Sequence, residues 1–275
     1  MNSKQVFKYS TYTMIHPSSI ISPKAQVGDK VNIGPFCYLG DDVIIGDDCD
    51  LKSHVYIEGP TTIGKRNKVW SFTALGGEAQ HLKNHSTDDQ LIIGDDNLIR
   101  EGVTIHRGTS AGGKVTKIGN SNLIMGNVHI AHDSLVGNNN IFTQSSTLAG
   151  HVTIGNNVVM SWLAAAHQFC RIGDYSFIGK CTPVVQDIPP YTLCADNGNK
   201  KIMKFNDKGV QRAEWDERTQ AATKKIFHIF YRSGTTIQDA LNSPETKELV
   251  KQFIEVKLFV DFVKSSTRGI TKPRL

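Results

Sequence analysis

One aliphatic or small apolar residue recurs at every sixth position along most of this chain. Between residues 118 and 184 the register does not slip, and the series consists of Ile118, Ile124, Ile130, Val136, Phe142, Leu148, Ile154, Met160, Ala166, Ile172, Ile178 and Val184. A small or short side chain stands two positions before each member, and glycine often follows it. A period of six fits neither an amphipathic helix nor an alternating strand pair. It predicts a solenoid of short strands in which both apolar positions point inward and the glycine turns the corner by adopting positive φ.

The register begins near Ile15 and is interrupted at residues 77–90 and 107–117. Each interruption is polar or charged and is flanked by intact repeats, so both are predicted to be loops that leave one corner of the solenoid. The pattern resembles the left-handed parallel β-helix of hexapeptide-repeat transferases, in which three hexads make one triangular coil. This resemblance predicts an all-β, left-handed parallel β-helix over residues 15–190, an exception to the usual right-handed crossover.

A coil of three hexads brings four histidines to one edge of the predicted helix. Every third repeat then shares a wall, and one wall contains Leu75, Ile105, Ile130, Leu148, Ala166 and Val184. Histidines follow members of this wall within three residues, at His106, His132, His151 and His167. Because successive coils lie about 4.8 Å apart, we expect a ladder of imidazoles along this edge.

The two ends of the chain have different patterns. Residues 1–14 are polar, lack the apolar core of a signal peptide and are predicted to be an N-terminal extension. No stretch is long and apolar enough for an integral membrane segment, so a cytoplasmic location is expected. Residues 191–275 are predicted to form an α-helical domain. Its helices span about 211–233, a short stretch from about Thr236, and a segment beginning at Ser243 and Pro244, whereas 191–210 has no assignment.

The five cysteines are scattered and include no C-x-x-C pair, which argues against a disulfide framework and against a zinc site built from cysteine. Cys37, Cys49 and Cys170 fall at inward positions, where they are expected to pack as small buried residues.

The net charge of +5 is unevenly distributed. Residues 189–275 carry 16 Lys and Arg against 10 Asp and Glu, whereas residues 1–188 carry 15 against 16. The basic C-terminal part is either a solvated helical surface or a docking surface for an acidic partner. We predict no nucleic-acid partner.

The densest polar cluster is the segment from His129 to Asp133. His129 should point outward from its strand, and His132 should lie at the corner beyond it. A histidine beside a carboxylate is a common general base near neutral pH. Two alternatives are that these side chains only cap the corner, or that imidazoles of successive coils bind zinc as in the β-helical carbonic anhydrases.

Several longer motifs identify a more specific resemblance. They are Leu51-Lys52-Ser53-His54, the segment from Ile99 to Thr109, His129 to Asp133, Leu148-Ala149-Gly150-His151, His167-Gln168-Phe169-Cys170, Pro189-Pro190-Tyr191 and Tyr231-Arg232-Ser233-Gly234. With these motifs the chain from Ile15 onward resembles the UDP-N-acetylglucosamine O-acyltransferases of lipid A biosynthesis. The resemblance implies a cytoplasmic homotrimer with active sites between subunits. Such an enzyme would move an (R)-3-hydroxyacyl group from acyl carrier protein to the 3-position of the glucosamine unit. The acceptor at that position would be a hydroxyl or an amino group.

The resemblance also implies roles for individual residues. His132 would be the general base, Asp133 would orient it, and the Gly150 N–H would face the oxyanion. Sugar and phosphate contacts are implied at Gln80, Lys83, His106, His129, His151 and Gln168, with Asn199, Asn206 and Arg212 nearer the nucleotide. Lys180, at a position that is often glycine, would limit acyl length from a corner near Gln168. No cofactor and no metal are implied.

The chain departs from the family pattern at a few further positions. His81 stands where the family usually has an aspartate, and Lys208 and Ala213 stand where it usually has an acidic and a basic residue. Besides acyl transfer, two functions remain open from the residues alone, a zinc-dependent hydratase and a noncatalytic trimeric scaffold.

Overall fold

The fold is a three-walled parallel β-helix, seen here in a computed structural model that describes residues 12–83, 88–196 and 201–272. Strands are numbered in chain order. Wall A contains β1 (Met14–Ile15), β4 (Asn32–Ile33), β7 (Asp50–Leu51), β10 (Lys68–Val69), β13 (Leu98–Ile99), β16 (Leu123–Ile124), β19 (Ile141–Phe142), β22 (Val159–Met160), β25 (Phe177–Ile178), β27 (Thr192–Asp196) and β28 (Lys201–Phe205).

The two other walls complete each coil. Wall B contains β2 (Ile20–Ile21), β5 (Tyr38–Leu39), β8 (Tyr56–Ile57), β11 (Ala74–Gly77), β14 (Thr104–His106), β17 (His129–Ile130), β20 (Thr147–Leu148), β23 (Ala165–Ala166) and β26 (Pro183–Val184). Wall C contains β3 (Gln26–Val27), β6 (Val43–Ile45), β9 (Thr61–Ile63), β12 (Gln90–Ile93), β15 (Val115–Ile118), β18 (Leu135–Val136), β21 (Thr153–Ile154) and β24 (Arg171–Ile172). The predicted left-handed parallel β-helix is confirmed. We call the edges where the chain passes between walls the A–B, B–C and C–A edges.

The periodic residues form one continuous core, as the sequence predicts. Ile33, Leu39 and Ile45 of a single coil are all buried, and the same holds coil after coil up to Val184. Cys37, Cys49 and Cys170 are buried as expected, and burial raises the pKa of the Cys49 thiol to about 11. The periodic Ile15 of the first coil is 47% exposed, since it lies at the open end of the stack.

The glycine that follows many repeats has a different role from the one predicted. Positive φ occurs at non-glycine corner residues such as Asp48 and Asn139, where short polar side chains tolerate this conformation. Glycine is instead required by close stacking. A Cβ at Gly46 would lie 2.7 Å from the carbonyl oxygen of Gly64 in the next coil. The prediction of corner glycines with positive φ is therefore wrong at Gly46, whereas it is confirmed at Gly76, which has φ of +76°.

Strands β27 and β28 continue wall A before the helices begin. Strand β27 pairs in parallel with β25, and β28 returns antiparallel to β27, so wall A gains a final hairpin. The helices are α1 (Asp207–Gln211), α2 (Glu217–Tyr231), α3 (Ile237–Asn242), α4 (Pro244–Gln252) and α5 (Ile254–Lys264). The region predicted as helical thus opens with strands.

The helical part also differs from prediction in where helices break. The first predicted helix, about 211–233, corresponds to α2, which begins later, after its N-cap Asp216, and the separate short helix α1 precedes it. The third predicted helix is two, because Phe253 between α4 and α5 has extended dihedral angles. Thr236 and Ser243 are the N-caps of α3 and α4. Within the described residues, no helix is long and apolar enough to cross a membrane.

Candidate active site

The predicted ladder of histidines is present at the B–C edge. His106 ends β14, His129 begins β17, and His132 and His151 lie in the turns that follow β17 and β20. The ring centroids of His106 and His129 are 5.0 Å apart, and those of His132 and His151 are 5.1 Å apart. Gln168 follows β23 at the same edge, and Gln80 and Lys83 lie in the loop that follows β11. The edge therefore collects nine of the predicted site residues, which also include Asp133 and Gly150.

His132 and Asp133 form a hydrogen-bonded pair. The His132 Nδ1 and the Asp133 Oδ2 are 2.8 Å apart. Asp133 adopts φ of +58° in the tight turn that follows β17, which places its carboxylate beside the ring of its own neighbour. Since Nδ1 is occupied by this bond, Nε2 is the nitrogen left for a substrate. The His132 side chain is 12% exposed and that of Asp133 is 1% exposed, so only the imidazole reaches solvent.

The loop between β14 and β15 encloses the Asp133 carboxylate. Thr109 donates twice, from its backbone N–H to Oδ1 at 2.9 Å and from its hydroxyl to Oδ2 at 2.7 Å. The Asp133 N–H donates to the Thr116 hydroxyl at 2.8 Å. Gly112 packs so close that a Cβ there would lie 2.2 Å from the Asp133 carboxyl carbon. The carboxylate is thus held in one orientation by a segment distant in sequence.

Gly150 lies against the imidazole of His132. A Cβ built on Gly150 would be 2.6 Å from His132 Cε1 and 2.8 Å from Nε2, so only glycine leaves the ring in its place. Gly150 is buried, and its N–H donates to no protein acceptor in the described part of the chain. A backbone N–H without a protein acceptor, next to a histidine side chain, is a group that can bind an oxyanion.

The surrounding histidines are held in the neutral form. Burial, reinforced by His129 and His132, lowers the pKa of His106 to about 4. Burial is also the main cause that lowers the pKa of His129 and that of His151. His129 Nδ1 shares a hydrogen bond with the Thr104 hydroxyl at 2.7 Å. His106 Nδ1 is buried and has no hydrogen-bond partner among the described residues, so it is available to a ligand.

Three side chains at this edge have the geometry of a possible metal site. His132, Asp133 and His151 each offer one ligand atom, and these atoms lie within 4.8 Å of one another. His151 Nε2 is 3.7 Å from Asp133 Oδ2. Imidazole nitrogen and carboxylate oxygen are both ligands of zinc.

The residues predicted nearer the nucleotide lie on a different side of the solenoid. Asn206 and Arg212 line a cleft of about 660 Å³ over wall A, together with Lys208 and the outward side chains Phe177 and Leu193. Asn206 caps α1 and its amide donates to the Tyr175 carbonyl at 2.7 Å. Asn199 lies outside the described residues. Wall A is the wall opposite the B–C edge, so one chain does not bring this cleft to the histidines.

Lys180 is also away from the histidines. It is exposed in the turn after β25, at the A–B edge, whereas Gln168 lies at the B–C edge. The expectation that the two are neighbours within one chain is wrong, because Ile178 belongs to wall A and Ala166 to wall B.

Several residues of the site were missed by sequence reasoning. Thr109, Gly112 and Thr116 hold Asp133, and Phe169 stacks on His151 with ring centroids 4.5 Å apart. The His81 ring meets His132 edge-on at 5.7 Å. For Thr109, Gly112 and Thr116 the available signal was the break in the repeat at residues 107–117, which marked where a loop could fold back onto the edge.

The chain is similar to known protein families and solved structures over most of its length. A family model described as UDP-N-acetylglucosamine O-acyltransferase domain 2 matches residues 187–271, and a model of bacterial transferase hexapeptide repeats matches residues 24–59. The solved structure of LpxA from Acinetobacter baumannii is 37% identical, with 94% of this chain and 99% of that chain covered and a TM-score of 0.89. LpxA of Moraxella catarrhalis, a UDP-N-acetylglucosamine O-acyltransferase, is 38% identical with the same coverage and TM-score. The UDP-N-acetylglucosamine acyltransferase of Francisella novicida is 34% identical, with 94% of each chain covered and a TM-score of 0.90.

Proposed function

Because the chain belongs to the UDP-N-acetylglucosamine O-acyltransferase family of lipid A biosynthesis, we propose that it transfers an (R)-3-hydroxyacyl group from acyl carrier protein to the 3-position of the glucosamine unit of UDP-N-acetylglucosamine or its 3-amino analogue. The observation that carries this proposal is the His132–Asp133 pair with Gly150 against its ring. Because the family is one of acyltransferases, acyl transfer is preferred to the two alternative functions, a zinc-dependent hydratase and a noncatalytic scaffold.

The chemistry follows from the two faces of the His132 ring. Asp133 binds Nδ1, so Nε2 takes the proton from the acceptor group as that group attacks the thioester carbonyl. The carbonyl oxygen becomes an oxyanion that the Gly150 N–H can bind. When the carbon–sulfur bond breaks, the imidazolium returns its proton to the leaving thiolate. The buried carboxylate stabilises the imidazolium between these two steps.

Substrate contacts are proposed along the same edge. Neutral His106, His129 and His151, with Gln80 and Gln168, offer hydrogen-bonding groups for a sugar, and Lys83 supplies a cation for the diphosphate. In the cleft over wall A, Arg212 and Lys208 line one pocket with Asn206. They provide positive charge and an amide at the nucleotide end. Ala213 stands where the family usually has a basic residue, and Lys208 would supply the positive charge that is missing there.

The separation of these two groups favours an active site shared between copies of the chain. The histidines lie on the edge opposite wall A, which carries the cleft with Arg212. A cyclic homotrimer, in which the B–C edge of one subunit faces wall A of the next, brings them together three times. Lys180 follows β25 at the border of wall A. The same arrangement would therefore bring the Lys180 of one subunit toward the histidine edge of its neighbour, where the acyl chain is transferred. The proposed setting is the cytoplasm, where acyl carrier protein would supply the donor.

The activity is tested by mass spectrometry. Purified protein, UDP-N-acetylglucosamine or its 3-amino analogue, and a range of 3-hydroxyacyl carrier proteins should yield an acylated UDP-sugar and free carrier thiol. The matched His132→Ala variant should yield neither above background. Absence of product with every donor and both acceptors, from folded protein, would refute the proposal.

Sharing of the site is tested by mixing two inactive variants. His132→Ala lacks the base, and Arg212→Ala lacks the cation on wall A. In randomly mixed trimers about one quarter of the sites combine an intact edge with an intact wall, so coexpression should restore activity to about that fraction. If each site lay within one chain, every site would contain a defect and no activity would return.

A further inference from the structure

We propose that the catalytic edge also binds a zinc-class divalent cation through His132, Asp133 and His151, and that this binding inhibits acyl transfer. The cation-binding part concerns this chain's own side chains and does not depend on the proposed reaction. The inhibitory part rests on the proposed function.

The distances among the three ligand atoms bracket what zinc requires. In tetrahedral zinc sites with bonds of about 2.1 Å, neighbouring ligand atoms lie about 3.4 Å apart. Here His132 Nδ1 and Asp133 Oδ2 are 2.8 Å apart, Asp133 Oδ2 and His151 Nε2 are 3.7 Å apart, and all three atoms lie within 4.8 Å. A cation that replaces the proton shared by His132 and Asp133 reaches His151 after only small side-chain shifts.

The carboxylate is already oriented for such a role. Thr109 binds Oδ1 through its N–H and Oδ2 through its hydroxyl, which fixes the plane of the carboxylate. Supporting hydrogen bonds of this kind orient metal ligands and commonly contribute about 10- to 100-fold to metal affinity. Asp133 supplies the negative charge, and its 1% exposure keeps competing water away.

His81, which stands beside the cluster, is the candidate for a fourth ligand. Its exposed ring stands edge-on to His132, with centroids 5.7 Å apart. Rotation of this exposed side chain would bring a third imidazole toward the cation. A set of nitrogen and oxygen ligands with several imidazoles selects zinc, copper or nickel over magnesium or calcium.

Inhibition follows from the atoms that the cation would occupy. It would take the Nδ1 position and the carboxylate oxygen that support His132 as a base. A divalent charge bound to the ring also opposes protonation of Nε2. The metal therefore competes with catalysis.

The test is a calorimetric titration of full-length, EDTA-treated protein with zinc chloride, followed by turnover measurements over the same zinc concentrations. We expect one zinc per chain, no heat with magnesium chloride, and loss of turnover that EDTA restores. His151→Ala should weaken zinc binding by at least about tenfold, and Thr109→Val by about 10- to 100-fold. His167→Ala is the matched control, since this histidine lies at the same edge and outside the cluster.

The outcomes separate the two proposals. Absence of stoichiometric zinc binding would overturn the metal site, and so would equal affinities of wild type and His151→Ala. Zinc that raises turnover would overturn inhibition. If His151→Ala does not fold, as judged by circular dichroism, His81→Ala and Thr109→Val decide the question. An EDTA-treated protein that binds zinc but has no transferase activity would contradict the proposed function alone.

Discussion

Replacement of Gly150 by alanine tests whether the position of the His132 ring controls turnover. The added Cβ would lie 2.6 Å from His132 Cε1 and 2.8 Å from Nε2. Carbon atoms in contact are comfortable at about 3.5–4.0 Å, so the ring must move by about 1 Å. It can move only at the expense of the 2.8 Å bond to Asp133, which is itself fixed by Thr109.

A displacement of about 1 Å in a catalytic group commonly costs about 100-fold in rate. We therefore expect Gly150→Ala to lose about 100-fold in kcat, or about 2.7 kcal/mol of transition-state stabilisation. The KM for the sugar nucleotide should change little, because the ground-state contacts of the sugar are made elsewhere along the edge. Folding should persist, since the φ of Gly150 is not in the left-handed region and alanine is tolerated there.

Steady-state kinetics with saturating carrier substrate measure the effect, with Gly40→Ala as the matched control. Gly40 lies at the same edge several coils away, and a Cβ there meets its nearest atom at 3.4 Å. In a His132→Ala background, Gly150→Ala should cause little further loss, because the displaced ring is gone. Wild-type kcat in folded Gly150→Ala, or an undiminished further loss in that background, would refute the reasoning.

Further predictions concern the base, the buried imidazoles, the basic surface and the acyl chain. His132→Ala should lose about 100-fold or more in turnover while keeping its fold, and near wild-type turnover would contradict its role. The pKa of His106 is about 4 in the folded protein and 6.5 in the unfolded chain. The contribution of neutral His106 to the free energy of unfolding is therefore complete above pH 6.5 and is lost as the pH falls toward 4. In urea denaturation the free energy of unfolding of the wild type should fall by about 1–2 kcal/mol more than that of His106→Gln over that range, after allowance for screening. Equal decreases in the two proteins would contradict this. If residues 189–275 dock acyl carrier protein, its KM should rise with salt, and charge reversals there that leave KM unchanged would exclude them. Lys180→Gly should shift the kcat/KM optimum toward longer 3-hydroxyacyl donors, since each buried methylene contributes about 0.8 kcal/mol, and an unchanged optimum would remove Lys180 as the length limit.

The solenoid could be predicted from sequence because its information is local and repeated. Every coil uses the same inward positions, so residues such as Ile33 and Ile130 report the same environment many times. Glycines such as Gly46 were misassigned because their role depends on the neighbouring coil. Glycine is required at Gly46 by the close backbone of Gly64, eighteen residues later, a contact that the six-residue pattern does not reveal. The helix break at Phe253 was missed because apolar residues at helical spacing, Leu249, Phe253 and Val256, continue across it.

The site divides along the same line. The placement of His106, His132 and His151 on one edge follows from counting repeats, since parallel coils keep register. Their protonation states do not follow from counting, because burial of His106 depends on the surrounding coils and loops. The predicted position of Lys180 near Gln168 was wrong for a simpler reason, because the two residues follow strands of different walls.

The six-residue repeat fixes the inward positions of every coil and by itself singles out no part of the surface. The two interruptions of the repeat, at residues 77–90 and 107–117, are what make this edge unequal along its length. The second carries Thr109 and Gly112 onto Asp133 and converts a corner carboxylate, of a kind that is exposed at Asp48, into one that is buried and oriented. The first places His81 beside His132. The surroundings of the proposed catalytic residues are therefore set by where the loops leave the helix, and in other solenoids of this period the breaks in register are the places to look for chemistry.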